Sequence, residues 1–149
     1  MRFEGKTNIR APRAKVWSYL TDAERVARAA PGLEKFEVVD PGKKFRFVTA
    51  IGFGSVKARF TSDVEWTELV PPEKAAMKAH GMAPGSAVDA DSRMILVDGP
   101  DGSTDLNWSA DVTISGTIAS LAARLMGGVT QKLTSAFFES VRKDIENEK

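Results

Sequence analysis

The sequence contains no cysteine and a single histidine, His80. The missing thiols exclude disulfides, thiolate nucleophiles and cysteine-ligated metal centres. A lone histidine offers no zinc-site pattern, and no orienting carboxylate or nucleophile stands at motif spacing to it. Neither sign of charge dominates: 21 Lys and Arg stand against 20 Asp and Glu, a formal net charge of +1. A surface that tracks phosphates needs a basic excess, so nucleic acid is not an expected partner. No run approaches the ~20 apolar residues that cross a bilayer. The opening Met1-Arg2-Phe3-Glu4-Gly5-Lys6 lacks the apolar core of a secretion signal. A cytoplasmic protein is expected, with peripheral attachment at the inner face of the membrane or to a larger complex left open.

What is present fits one folded unit. The 149 residues, 42% of them hydrophobic and 28% charged, suffice for a single domain with its own core, residues 1–149. Phe3, Gly5, Thr7 and Ile9 alternate with Arg2, Glu4, Lys6 and Asn8, which predicts a first strand with one wet face. Pro12 suits a helix start, followed by an apolar face of Val16, Trp17 and Leu20. Thr21 or Asp22 can cap a second short helix that Pro31-Gly32 stops. Residues 33–39 and 44–50 predict a hairpin around Asp40-Pro41-Gly42-Lys43.

The later strands carry their large side chains on one parity. Val56, Phe60, Val64 and Trp66 form one such stripe, and Leu106, Trp108, Val112 and Ile114 another. Between them, residues 74–80 and 86–97 predict two further strands joined by a flexible stretch at residues 81–85. Residues 118–145 then predict a long helix, with Leu121, Leu125, Val129, Leu133, Phe137 and Val141 among its apolar stripe. The expected class is α+β: a curved, seven-stranded, mostly antiparallel sheet wrapped around a long C-terminal helix, with two short helices after the first strand.

This order resembles the helix-grip fold of the START/Bet v 1-like (SRPBCC) superfamily. Phe3-Glu4-Gly5, Ala11-Pro12, Val16-Trp17, Ala30-Pro31-Gly32, Gly52-Phe53-Gly54, Ala110-Asp111-Val112, the helix with Leu121, Arg124 and Leu125, and Phe137-Phe138 are together similar to the small G-subunit family of carbon monoxide dehydrogenase. The resemblance implies a non-enzymatic accessory protein that holds a hydrophobic small molecule, a quinone or a lipid, between sheet and helix. It also implies a molybdenum hydroxylase or carbon monoxide dehydrogenase complex as partner. Many relatives carry a membrane-anchoring tail beyond the long helix; none is expected after Lys149, leaving peripheral contact. The alternatives are an assembly or membrane-recruitment protein with no bound ligand, and a cyclase or hydrolase.

The candidate ligand-lining set is Phe47, Phe53, Phe60, Trp66, Met77, Met94, Trp108, Leu125, Met126 and Val129. Aromatic rings give flat contact area and methionines adapt to irregular shapes. The same residues would fill the core of any domain built this way, and both readings stay open. Ser62 and Ser92 are the polar residues expected on inward faces; no catalytic or metal-ligating set is expected. Gly127-Gly128 is expected to interrupt the long helix, either for close packing or for a bend that sets pocket volume. Gly52-Phe53-Gly54 and residues 81–85 are expected as rim loops, with Phe53 as a door or as part of a plain turn. His80, Asp89, Asp91, Arg93 and Asp111 are expected to face solvent. Arg2, Lys6, Arg10, Arg13, Lys15, Arg25 and Arg28 make the first segment locally basic.

Overall fold

The computed structural model describes residues 1–53 and 55–147, with Phe53 described through its backbone alone. Strand β1 (Arg2–Ile9) is followed by helices α1 (Arg13–Leu20) and α2 (Ala23–Ala29). Strands β2 (Leu33–Asp40), β3 (Lys44–Phe53), β4 (Val56–Val70), β5 (Lys74–Ala83), β6 (Ser86–Asp98) and β7 (Thr104–Gly116) then run to helix α3 (Ala119–Glu146). One antiparallel sheet has the order β1-β7-β6-β5-β4-β3-β2. Because β1 and β2 lie at opposite edges, α1 and α2 must cross from one edge to the other, and they close one end of the concave face. Helix α3 lies along that face, giving the helix-grip arrangement.

Local chemistry sets the connections. In the β2–β3 turn the Lys43 N–H donates to Asp40 O at 3.0 Å and Gly42 takes φ +75°, the geometry of a Pro-Gly type II turn. The Asp22 side chain caps α2 by accepting from the Glu24 and Arg25 N–H groups. The expected flexible stretch at residues 81–85 is instead mostly strand: Ala83 pairs with Ser86, and only Pro84 and Gly85 turn between them. The same Pro-Gly chemistry that suggested a loop makes the shortest hairpin connection. A register shift between Trp66 and Glu68 marks a bulge in β4, which helps bend the sheet.

Helix α3 is pinned at both ends. The Ile118 N–H donates to Ser86 Oγ at 3.3 Å, and Ser86 Oγ lies 3.0 Å from Thr117 Oγ1. In the last turns, Arg142 Nη1 donates to Thr7 Oγ1 (2.7 Å), the Tyr19 hydroxyl donates to Asp144 Oδ2 (2.5 Å) and the Arg10 N–H donates to Glu146 Oε2 (3.1 Å). Ile9, Val16, Leu96, Leu106, Val141 and Ile145 pack into a dry core beneath this end. Each such fully buried side chain contributes roughly 1.5–3 kcal/mol. Gly127 and Gly128 do not interrupt the helix, which is continuous through both, and a Cβ at either would meet nothing within 4 Å. Close packing is therefore not the reason for the pair.

Candidate functional site

The apolar stripe of α3 is unevenly buried. Ala122, Val141 and Ile145 are fully enclosed, whereas Leu125, Met126, Val129, Leu133 and Phe137 between them are only half-buried. Two adjoining cavities, of about 180 and 120 Å³, lie beneath this middle stretch. Trp66, Met77, Met94 and Trp108 of the sheet, Leu20 and Val26 of the short helices, and Phe137 of α3 wall the larger one. Phe60, Val88, Ile114, Met126, Val129 and Leu133 wall the smaller. Met77 and Ala79 share one face of β5, Ser92 and Ala90 one face of β6, so the cavities follow each other along the same trough.

The room comes from the floor rather than from the glycines of the helix. Ala79, Gly81 and Ala90 stand where large residues would fill the trough. A Cβ on Gly81 would come 2.7 Å from Ser62 Oγ. The lining is mostly apolar: Ser92, Thr134 and the exposed Arg93, which was expected only to face solvent, border one cavity, and Thr49 and Ser62 the other. The Thr134 hydroxyl is occupied within its own helix, donating to Thr130 O at 2.8 Å. Neither a carboxylate nor an imidazole lines either cavity among the described residues. Such a chamber can desolvate a ring or an acyl chain, and it places no acid–base group beside it.

Of the ten residues singled out in the sequence, Phe60, Trp66, Met77, Met94, Trp108, Met126 and Val129 line this trough. Phe47 lies instead toward the β2 edge, its ring 5.3 Å from that of Phe36, and Leu125 packs against the Phe60–Ala122 cluster. The side chain of Phe53, and with it the door at Gly52-Phe53-Gly54, falls outside the described residues. Sequence reasoning missed Thr49, Leu133 and Phe137 as wall residues, and the roof supplied by Leu20 and Val26. The 3.6-residue stripe of α3 already contained Leu133 and Phe137; the roof depends on where α1 and α2 cross.

A second feature was not foreseen. A cleft of about 520 Å³ opens between edge strand β1 and a polar stripe of α3 that includes Gly127, Thr130, Gln131, Ser135 and Arg142. Trp108, Thr134 and Phe138 border both this cleft and the larger apolar cavity. The indole of Trp108 and the ring of Phe138 are 6.5 Å apart, centre to centre.

The convex face of the sheet is a lattice of charges. Arg46 bridges Glu37 (3.1 Å) and Asp63 (2.8 Å), and the hydrogen bond from Arg46 holds the Asp63 carboxyl below the usual carboxylate range. His80 faces solvent, and its Nδ1 lies 2.6 Å from Asp89 Oδ1. The orienting carboxylate not found at motif spacing thus exists across the β5–β6 pair, on the face away from the trough. Arg2 meets Asp111, Arg13 meets Asp98 and Arg28 meets Glu24, so the basic bias of the first segment is largely paired at the surface. Among the described residues no cluster of three metal-ligating side chains forms, and no helix is long and apolar enough to cross a membrane.

The architecture recurs among solved structures. A conserved protein from Geobacillus kaustophilus superposes with a TM-score of 0.90 at 25% identity, over 98% of this chain and 95% of that one. The Zhui aromatase/cyclase from Streptomyces sp. R1128 superposes with a TM-score of 0.74 at 18% identity, over 98% and 93% of the two chains. TTHA0849 from Thermus thermophilus gives 0.68 at 15% identity, over 97% of each. These last two likenesses speak for the fold alone. No curated protein matches the sequence. Residues 5–146, however, match the family described as the G subunit of carbon monoxide dehydrogenase (CoxG), and the chain belongs to that family.

Proposed function

We propose that this chain is a single-domain, non-enzymatic carrier that takes an apolar ligand, a quinone or a lipid, into the trough beneath α3. It serves a molybdenum-containing dehydrogenase of the carbon monoxide dehydrogenase type, in the cytoplasm and at the inner face of the membrane. The observation that carries the reading is the half-buried middle of the α3 stripe over two apolar cavities of about 180 and 120 Å³. A helix that only completed a core would bury Met126, Val129 and Leu133 as fully as it buries Val141. Together the cavities reach the lower end of the ~300–1,000 Å³ typical of small-molecule pockets, which suits a quinone ring or a short acyl chain. The family membership supports the partner. The lack of a carboxylate or imidazole in the lining supports carriage over turnover.

Titration of the protein's tryptophan fluorescence with decylubiquinone and with decanol tests it. Saturable binding is expected, and Ala90→Phe, which fills the trough floor, should abolish it while the far-ultraviolet circular dichroism stays native. Absence of binding by every quinone and lipid offered overturns the carrier reading. Co-purification of the ligand-free protein with a molybdenum dehydrogenase would then favour an assembly role.

A further inference from the structure

We propose that the cleft between β1 and α3 is a polar subsite for a carboxylate-headed amphiphile, with Arg142 holding the head group while the tail passes Trp108 and Phe138 into the trough. The inference rests on the carrier reading and goes beyond it by naming the class of ligand. Three observations carry it.

The first is an uncompensated charge. Arg142 lies half-buried along the cleft, and its one hydrogen bond is from Nη1 to the neutral Thr7 hydroxyl; no carboxylate pairs with it among the described residues. Arg2, Arg13, Arg28, Arg46 and Arg59 have acidic partners, and Arg10, Arg93 and Arg124, whose side chains meet no carboxylate among the described residues, are exposed, whereas Arg142 is half-buried. A guanidinium partly out of water with donors to spare is matched by a carboxylate, which it can meet with two parallel bonds.

The second is the open edge of β1. Met1 and Val112 exchange both backbone hydrogen bonds at 2.7 Å. That pair sets the phase of the antiparallel ladder: Phe3, Gly5 and Thr7 bond toward β7, while Glu4 and Lys6 turn their N–H groups away from it. Glu4 and Lys6 border the cleft, while their side chains pair with Arg2 and Asp105. What they present to the cleft is therefore unpaired edge backbone, N–H donors alternating with C=O acceptors, and the N–H groups can meet a carboxylate beside Arg142. The third is continuity. Phe138, one helical turn before Arg142, and Trp108 form both the wall of the cleft and the wall of the apolar cavity. A head group at Arg142 thus sits against the side chains that separate the cleft from the trough, and the tail would enter by displacing them.

The experiment compares decanoate, decanol and decylubiquinone on the full chain, before and after Arg142→Gln and Arg142→Lys. The expected result is tighter binding of decanoate than of decanol. Arg142→Gln should weaken decanoate by roughly tenfold to a hundredfold, the range for a charge-assisted hydrogen bond, and leave decanol unchanged. Arg142→Lys should recover part of the loss, and raised salt should weaken decanoate alone. Equal binding of all three ligands, or an equal effect of Arg142→Gln on decanoate and decanol, overturns the subsite and leaves the trough standing. Binding by none of the three overturns the trough, and the subsite with it.

Discussion

The indole of Trp108 occupies the space in which a side chain at Gly5 would begin: a Cβ there would fall 2.7 Å from Nε1 and 2.8 Å from Cε2. Gly5 and Trp108 are direct partners across the β1–β7 ladder, so the glycine lets the indole lie against the edge strand. Gly5→Ala must displace Trp108, the wall shared by cleft and trough. A loss of about 1–3 kcal/mol is expected from the overpacking, read by urea unfolding. A changed tryptophan emission spectrum and weaker ligand binding should accompany it. An unchanged spectrum and stability would show that the indole can relocate freely.

Gly127 and Gly128 make the opposite prediction. Neither is needed for space, and both sit inside a continuous helix. Replacing either by alanine should stabilise the protein by about 0.5–1 kcal/mol through helix propensity. The melting temperature should rise by roughly 2–4 °C per kcal/mol for a chain of this size. If the pair instead serves a bend that sets ligand volume, the alanine variants will be more stable and bind less.

These glycines also mark how far the sequence could be read. The α3 stripe and the strand parities are local periodicities, and they placed the helix, the strands and the inward face of β4 to β7. Gly127-Gly128 offered two readings, close packing or a bend that sets pocket volume, because helix composition is visible in one segment. The source of the cavity, small residues at Ala79, Gly81 and Ala90, depends on which part of the sheet lies under the middle of α3. The His80–Asp89 pair likewise depends on the β5–β6 register, which follows from a two-residue turn that the composition alone suggested as a longer loop. The cleft needed more again, because nothing local says that β1 is an edge strand or that α3 turns a polar stripe toward it.

Tyr19 gives a pH-dependent outcome. Its hydroxyl is buried and bonded to Asp144, and burial, then that hydrogen bond and the charge of Asp144, push its ionisation well above the ordinary 10.0. The unfolded chain releases this proton near pH 10 while the folded protein keeps it. The stabilisation is therefore complete below pH 10 and is lost as pH rises past it, by up to ~1.4 kcal/mol per pH unit for one proton. Tyr19 is the only tyrosine, so absorbance titration reads it alone. Urea unfolding of wild type should steepen its decline above about pH 10 relative to Tyr19→Phe. Parallel declines, or a phenol titrating at its ordinary value in the folded protein, would refute the assignment.

Thr104 ties the start of β7 to the chain leaving β1. The residue is fully buried and its Oγ1 donates to Ala11 O at 2.7 Å, just before Pro12 opens α1. Thr104→Val keeps the shape and removes the donor, leaving the Ala11 carbonyl without that bond in a dry setting. The expected cost is about 1–3 kcal/mol, more than the ~1 kcal/mol net value of an ordinary hydrogen bond, because the acceptor stays desolvated. Thr104→Ser keeps the hydroxyl but loses the methyl group, and separates the two contributions. If urea unfolding finds the valine variant as stable as wild type, the carbonyl has found another donor and the bond does not hold α1 in place. If it is weakened, the roof over the larger cavity should loosen with it, since Leu20 at the end of α1 lines that cavity. Faster hydrogen exchange confined to α1 and α2 would register the loosening.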